Sequence, residues 1–148
     1  MNAACTQGAI RLVGGANEME GRVEVCNNNM WGTICDYGWD LNDARVACWQ
    51  SGFSSSVNRK LNYYCFICHM SNFVTAVVTS FTNAAFGEGV GPIWMSNLTC
   101  VYNENSLFLC SRQVQIGWVE NSTSCSHSND VAVRCSPRNG KISLFLLA

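Results

Sequence analysis

Residues 20–36 read EGRVEVCNNNMWGTICD, and this stretch predicts two neighbouring β-strands joined by a tight turn. In the first strand, residues 22–25, charged side chains alternate with valines, as expected for a strand with one buried face. Three asparagines supply the turn, and residues 31–35 form the next strand. A preceding strand, residues 10–13, reaches this pair through a glycine-rich turn. This order predicts an antiparallel meander and not a βαβ unit.

A helix follows over residues 41–51, where apolar side chains recur at helical spacing. Asp40 is placed to cap its first turn, and Asp43 lies within that turn, where the helix dipole favours a carboxylate. Gly52 supplies the left-handed residue at which many helices end. Three later segments complete the predicted elements, two strands and one short helix: residues 92–95, 131–133 and 104–110.

The composition favours one globular domain. The chain has 148 residues, of which 48% are hydrophobic and 13% charged, so it is long and apolar enough to bury a core. Nine basic against ten acidic residues give a net charge of −1, which supplies no broad basic surface for nucleic acid. No apolar run approaches the length of about 18 residues that a transmembrane helix needs. We therefore expect no membrane insertion by this chain itself.

Ten cysteines in 148 residues indicate an oxidising, extracellular compartment, where disulfides stabilise secreted domains. Zinc sites favour paired CxxC motifs, and only one such motif occurs. Two sequons, at Asn97 and Asn121, predict N-glycosylation. The first residues show no signal-peptide pattern, so we expect either a fragment of a larger secreted or membrane-tethered protein or an incorrectly placed start.

Cys65, Cys68 and His69 form a CxxCH pattern that is typical of covalent haem attachment. The same residues could bind zinc or form a redox dithiol. The alternative, which we expect, is a chance pattern in a loop. No GxSxG motif is present, and the other histidine, His127, is expected to have a structural role. The sequence therefore predicts that the chain is not an enzyme.

Several motifs, in this order along the chain, resemble the scavenger receptor cysteine-rich family. They are IRLVGG at 10–15, EGRVEV at 20–25, WGTICD at 31–36, WD at 39–40 with DA at 43–44, FGEG at 86–89, GPIW at 91–94, CSHS at 125–128 and VRC at 133–135. The resemblance covers about residues 8–136 apart from an insert. It implies an α+β fold, in which a curved antiparallel β-sheet cradles one α-helix and disulfides hold the long loops.

The resemblance also implies three disulfides, which involve six cysteines: Cys35–Cys125, Cys48–Cys135 and Cys100–Cys110. Many members carry a further bridge whose two positions are occupied here by Met19 and Phe53, so both ends of that bridge are absent together. Cys5 and Cys26 are the next expected pair. Cys26 follows the second strand, and the antiparallel first strand brings Cys5 towards the same end of the sheet.

The function that the resemblance implies is recognition of polyanionic, microbial-surface or protein ligands by a scavenger-type receptor or a secreted defence protein. The alternative is a non-catalytic appendage of an extracellular enzyme such as a serine protease. Family members often bind Ca²⁺ through two adjacent aspartates and a glutamate. Here only Asp36 remains acidic, because Tyr37 and Asn129 occupy the other two positions. Asp36 and Asn129 carry too little charge for a tight Ca²⁺ site, so we expect no cofactor.

The expected domain organisation has four parts. Residues 1–9 form an N-terminal linker, 10–136 the domain, and 137–148 an apolar C-terminal tail. Residues 57–83 form an insert that we expect to lie outside the folded module, as a disordered loop or translated intron, because its apolar residues have no clean period. The alternative is an extended ligand-binding loop held by Cys65–Cys68.

Overall fold

A computed structural model describes residues 4–53, 78–101, 103–112 and 125–137. These described residues form eight strands, one α-helix and two short 3₁₀-helices. The strands are β1 (Ile10–Gly14), β2 (Glu20–Asn27), β3 (Met30–Ile34), β4 (Thr79–Phe81), β5 (Ile93–Met95), β6 (Leu98–Thr99), β7 (Ser111–Arg112) and β8 (Ala132–Arg134). The helix α1 is Leu41–Gln50, and the 3₁₀-helices are Leu107–Leu109 and His127–Asn129. The α+β class and the predicted meander are confirmed.

The main sheet has six strands in the order β4-β8-β2-β3-β5, with β1 on the other edge of β2. Strands β3 and β8 share one edge of β2, because β3 pairs with Glu24–Asn27 and β8 with Glu20–Arg22. All of its pairings are antiparallel except β3 with β5, which is parallel. The sheet is therefore mixed rather than wholly antiparallel. The chain passes through α1 between these two strands, and such a crossover is what parallel neighbours require.

The core lies between this sheet and α1. Val23 and Val25 of β2 are completely buried on the inner face of the sheet, opposite a helix whose Ala44, Ala47 and Cys48 are also completely buried. The helix begins and ends at caps that the sequence predicts. The Asp40 carboxylate accepts the backbone N–H groups of residues 42 and 43, and Gly52 adopts φ +88°. Among the described residues, no helix is long and apolar enough to span a membrane.

Asp43 joins the start of α1 to the hairpin formed by β6 and β7. Its fully buried carboxylate accepts the backbone N–H of Asp40 at 2.8 Å and that of Cys100 at 3.0 Å. Burial removes water from this carboxylate and raises the pKa of Asp43 to about 6, and the two backbone hydrogen bonds oppose that rise. The N-cap of the helix and the Cys100–Cys110 hairpin are therefore held by one side chain.

Four disulfides close the fold within the described residues. The structure forms Cys5–Cys26, Cys35–Cys125, Cys48–Cys135 and Cys100–Cys110, with Cα–Cα distances of 5.9, 5.9, 5.5 and 4.6 Å. The second and third bonds span 90 and 87 residues. In the chain-entropy model each of these two bonds stabilises the folded state by about 4–5 kcal/mol, because it lowers the entropy of the unfolded chain. The Cys100–Cys110 bond, with a separation of ten residues, contributes about 2.7 kcal/mol. The two long bridges dominate this contribution.

Two expected boundaries differ from the structure. Residues 78–83 were expected to lie outside the module, but Val78 is only 4% exposed in the core and β4 pairs with β8. That part of the prediction is wrong, because a three-residue strand has too little pattern to be recognised in an apolar stretch. Residues 57–77, including Cys65, Cys68 and His69, lie outside the described residues, and so do 138–148 of the expected tail.

The N-terminal segment is the second boundary. Residues 4–9 were expected to be part of a linker, yet the Gly8 N–H donates to the Cys26 carbonyl at 2.9 Å, and the Cys26 N–H donates to the Ala9 carbonyl at 2.8 Å. With the Cys5–Cys26 bond, these contacts tie residues 5–9, which include a turn at 7–8, to the end of β2. The linker prediction is wrong for these residues because it depended on where the strand pattern begins.

Excision of residues 57–77, compared with excision of 57–83, tests whether residues 78–83 belong to the folded domain. Replacing 57–77 with a short Gly-Ser linker should leave the free energy of unfolding within about 1 kcal/mol, because loop closure depends weakly on length. Removing 57–83 also deletes the buried Val78 and β4, and should lower the free energy of unfolding by about 2–5 kcal/mol. Urea unfolding of both variants measures the difference. Equal stability of the two deletions would contradict the packing of β4.

Asp43 predicts a pH dependence of stability. Its pKa is about 6 in the folded chain and about 4 when unfolded, so between these values the folded state binds more protons. The free energy of unfolding should therefore fall as pH rises from about 4 through 6. Asp43→Asn should remove this decline while lowering stability overall. Urea titrations at pH 4 and 6.5 measure it, and parallel pH profiles of the two proteins would refute the assignment.

Candidate functional site

Asp36 and Asn129, which occupy two of the family's Ca²⁺-binding positions, lie next to each other. The Asp36 backbone N–H donates to the Asn129 carbonyl at 2.9 Å. However, the Asn129 side-chain oxygen is already occupied, because it accepts the backbone N–H of Ser126 at 3.2 Å at the start of a 3₁₀-helix. The Asp36 carboxylate accepts the backbone N–H of Asn83 at 3.3 Å, and Tyr37 is 61% exposed.

This donor set does not fit a tight Ca²⁺ site. Ca²⁺ takes six to eight oxygens, usually with several carboxylates. Only Asp36 supplies a carboxylate here, and the Asn129 oxygen caps a helix. In the described part of the chain, no three histidine, cysteine, aspartate or glutamate side chains gather into a group that could hold a metal ion.

His127 holds a loop in place. Its Nδ1 lies 3.0 Å from an Asp130 carboxylate oxygen, and its Nε2 lies 2.9 Å from the Gly91 carbonyl. Asp130 is completely buried and accepts the backbone N–H of Gly89 at 2.7 Å. Nε2 therefore binds the loop of residues 87–91 directly, and Nδ1 binds Asp130, which in turn holds Gly89 of that loop, so both nitrogens of the imidazole are engaged. The geometry supports the structural role expected for His127.

Three arginines project from the outer face of the main sheet, the face away from α1. Arg11 lies on β1, Arg22 on β2 and Arg134 on β8. The strand register places each arginine diagonally from the next, at a typical Cα spacing of roughly 7–8 Å. We call these three side chains the arginine face.

Two buried glutamates of β2 position the arginine face. Glu24 accepts hydrogen bonds from Nε of Arg11 at 2.7 Å and from Nη2 of Arg22 at 2.8 Å. Glu20 accepts from Nε of Arg134 at 2.5 Å. The two glutamate side chains are only 7% and 9% exposed, whereas Arg11 and Arg134 are 46% and 54% exposed. Solvent therefore meets guanidinium groups, while the carboxylates that orient them lie beneath.

Aromatic rings support the two outer arginines. The Arg11 guanidinium lies 4.3 Å from the centre of the Trp31 ring, and that of Arg134 lies 5.3 Å from the centre of the Phe81 ring. Phe81 in turn packs edge-on against Phe86, with ring centres 5.2 Å apart. Each guanidinium thus has one face covered and is held in one direction, which lowers the conformational entropy that binding an anion would cost.

The loop of residues 87–91 borders the middle of this face. Nη1 of Arg22 donates to the Gly87 carbonyl at 3.0 Å, which completes the fixation of that side chain. Gly89 lies so close to the sheet that a Cβ would come within 2.5 Å of Cγ2 of Thr33. Val90 beside it is 83% exposed. The loop therefore helps to cover Arg22, whose side chain is only 12% exposed.

The guanidinium of Arg134 lowers the pKa of Glu20 below its ordinary value, and the backbone N–H of Ala16 lowers it further.

The sequence did not single out the arginine face. It placed Arg22 and Glu24 on one side of a strand, but Arg134 lies more than a hundred positions from both. Only the pairing of β8 with β2 brings them together.

The structure describes one of the two predicted glycosylation sites. Asn97 precedes β6, with φ +51° and its backbone N–H donating to the Tyr37 carbonyl at 2.8 Å. Its side-chain oxygen lies against Gly38, where a Cβ would come within 2.5 Å of it. Asn121 lies outside the described residues, and glycosylation at both positions stays a prediction.

Comparison with known proteins identifies relatives along almost the whole chain. The family model of the scavenger receptor cysteine-rich domain matches residues 13–66 and 61–136. A scavenger receptor cysteine-rich domain superfamily protein of Patiria pectinifera is 35% identical over 139 residues, which are 94% of this chain and 10% of that protein. Human lysyl oxidase homolog 4 is 38% identical over 130 residues, 87% of this chain and 14% of the homolog. The chain therefore spans a small part of the curated relatives it matches.

Two solved structures share the fold. The third scavenger receptor cysteine-rich (SRCR) domain of murine neurotrypsin has a TM-score of 0.62 and 39% identity, over 85% of this chain and 94% of that domain. The SRCR domain of mouse MARCO, solved in a dimeric form, has a TM-score of 0.56 and 36% identity, over 85% of this chain and 93% of that domain. Both cover nearly all of their own chains, so the similarity extends over a complete domain.

Titration of Glu20 tests the geometry of the arginine face. Arg134→Gln removes the guanidinium that chiefly lowers the pKa of Glu20, so this pKa should rise towards its ordinary value. The stabilisation by this pair is present above the ordinary glutamate pKa and is lost as pH falls through the lowered one. NMR titration of the side-chain carboxyl carbon measures the shift. Arg11→Gln, which changes the partner of Glu24, is the control. An unchanged Glu20 titration in Arg134→Gln would contradict the pairing.

Proposed function

The chain belongs to the scavenger receptor cysteine-rich family, and from that premise we propose that it recognises polyanionic ligands through the arginine face. Domains of this family occur in scavenger receptors and in extracellular enzymes such as the lysyl oxidase homologs. The proposed setting is a scavenger-type receptor or a secreted defence protein. Polyanions of microbial surfaces and acidic surfaces of extracellular proteins are the ligand classes that suit it.

The observation that carries the proposal is the layering of charge on the outer face. Three arginines stand over two glutamates, so this patch has a formal charge of +1 although the chain carries −1. The carboxylates are buried and the two outer guanidiniums are about half exposed. An approaching sulfate, phosphate or carboxylate group therefore meets donors first.

The regular spacing of the arginines favours a linear polyanion. One guanidinium–anion contact at an exposed site is weak, because water and salt screen it. Contacts of one ligand with Arg11 and Arg134 act together, since the first brings the second to a high effective concentration, and Arg22, only 12% exposed, lies between them. Their fixed side chains, held by Trp31, Phe81 and Gly87, reduce the entropy lost on binding.

A second candidate is a non-catalytic appendage of an extracellular enzyme. It is supported by the lysyl oxidase homologs, which this chain matches over only 13–14% of their length. The engaged nitrogens of His127 support the absence of catalysis in this domain. The full-length transcript separates the two candidates, because an enzyme would carry its own catalytic domain beside this one.

Binding of dextran sulfate tests the arginine face. Arg11→Gln and Arg134→Gln should each weaken binding about three- to tenfold and reduce the slope of log affinity against log salt by about one. The matched control is Arg45→Gln on α1, which removes the same charge from an element on the other side of the sheet. Chelator should leave binding unchanged, because the Ca²⁺ ligand set is incomplete. Equal losses in the three variants, or loss of binding in chelator, would refute the assignment.

A further inference from the structure

Strand β1 forms an edge of the main sheet. In the part of the chain that the structure describes, β2 is the one strand that pairs with it. The Val23 N–H donates to the Val131 carbonyl, so this amide of β2 points away from β1. Because amides alternate along a strand, those of Arg22 and Glu24 point towards β1.

The same alternation fixes which groups of β1 face outwards. Arg11 pairs with Glu24 and Val13 with Arg22, so the N–H and C=O groups of these two β1 residues face β2. The N–H and C=O groups of Ile10 and Leu12 point to the open side. These four backbone groups have the spacing that an added strand requires.

The side chains beside this edge define what would pair with it. On the outer face Arg11 is 46% exposed, and on the inner face Ile10 and Leu12 are only partly buried at the margin of the core. Edges that are protected against strand addition commonly carry a charged side chain, proline or a β-bulge. Strand β1, with the sequence IRLVG, has no proline, its register with β2 is unbroken, and its one charge, on Arg11, is paired with Glu24.

We propose that the open edge of β1 binds an extended acidic segment of a partner protein as an additional β-strand. Its side chains would alternate, with acidic residues on the outer face beside Arg11 and apolar residues on the inner face beside Ile10 and Leu12. Cross-strand pairs of opposite charge and of apolar side chains stabilise such an addition. This site is separate from anion binding by the arginine face as a whole, because backbone hydrogen bonds supply the affinity.

Hydrogen exchange of single amides tests the proposal directly. The probe is the peptide acetyl-EVEVEV-amide, added to ¹⁵N-labelled full-length chain. At ten times its dissociation constant, the peptide should slow exchange of the Ile10 and Leu12 amides about tenfold. The amides of Arg11 and Val13, which already face β2, should change little. Dextran sulfate should leave all four amides unchanged, so this result is independent of polyanion binding.

Two control peptides separate strand addition from charge attraction. The first control peptide is methylated on the backbone nitrogens of alternate residues and keeps every charge. When its methylated edge faces β1, it has no N–H groups to donate to that strand, so it should give no protection. A scrambled peptide with the three glutamates consecutive should bind more weakly. Equal protection by all three peptides would overturn the proposal.

Two variants test the named residues. Arg11→Gln should lower the affinity for the acidic peptide about fivefold. A peptide with lysine in place of glutamate should bind this variant more tightly than it binds the original chain. Leu12→Pro removes an N–H that faces the open side and makes no hydrogen bond to β2. This substitution should abolish protection at Ile10. Its fold is checked by its disulfides and thermal unfolding, and if it does not fold, Arg11→Gln and the methylated peptide decide.

Three outcomes would overturn the inference. The Ile10 and Leu12 amides could be protected in the free chain at every concentration, which would mean that another part of this chain covers the edge. Protection that rises with protein concentration alone would identify a second copy as the occupant. Peptide binding without protection of either amide would place the peptide elsewhere.

Discussion

The fold depends on the hydrogen bonding of β2, both of whose edges are occupied. Strand β1 covers one edge, and β3 and β8 lie end to end along the other. From that shared edge the sheet divides into two branches, β3 with β5 and β8 with β4. Successive side chains of β2 point to opposite faces of the sheet. Glu20, Arg22 and Glu24 therefore point together to the outer face, while Val23 and Val25 meet the helix.

The sequence predicted the features that depend on local pattern and on the family resemblance. The cap at Asp40 and the stop at Gly52 set the limits of the helix, and both have local chemical causes. Strand β4 was missed because its three residues follow an apolar run without a period of two. The parallel pairing of β3 with β5 was missed because strand direction is decided by the path of the chain.

The arginine face could not be predicted for a different reason. Arg11 and Arg134 reach Glu24 and Glu20 only after two strands pair with β2 in a fixed register. A shift of one residue in either strand would turn the arginine to the inner face, where an unpaired charge is costly. The buried glutamates thus favour the correct register, so the residues that order the ligand-facing arginines also help to specify the sheet.

The two described residues that border positions 54–77 are both packed into the domain. Phe53 packs against the core next to α1, and Val78 is buried beside the start of β4. Each is held by its own neighbours, the first by the helix end and the second by β8. The module therefore has a natural insertion point between two independently anchored residues. Foreign sequence, such as an epitope or a second binding loop, could be displayed there while the arginine face stays intact.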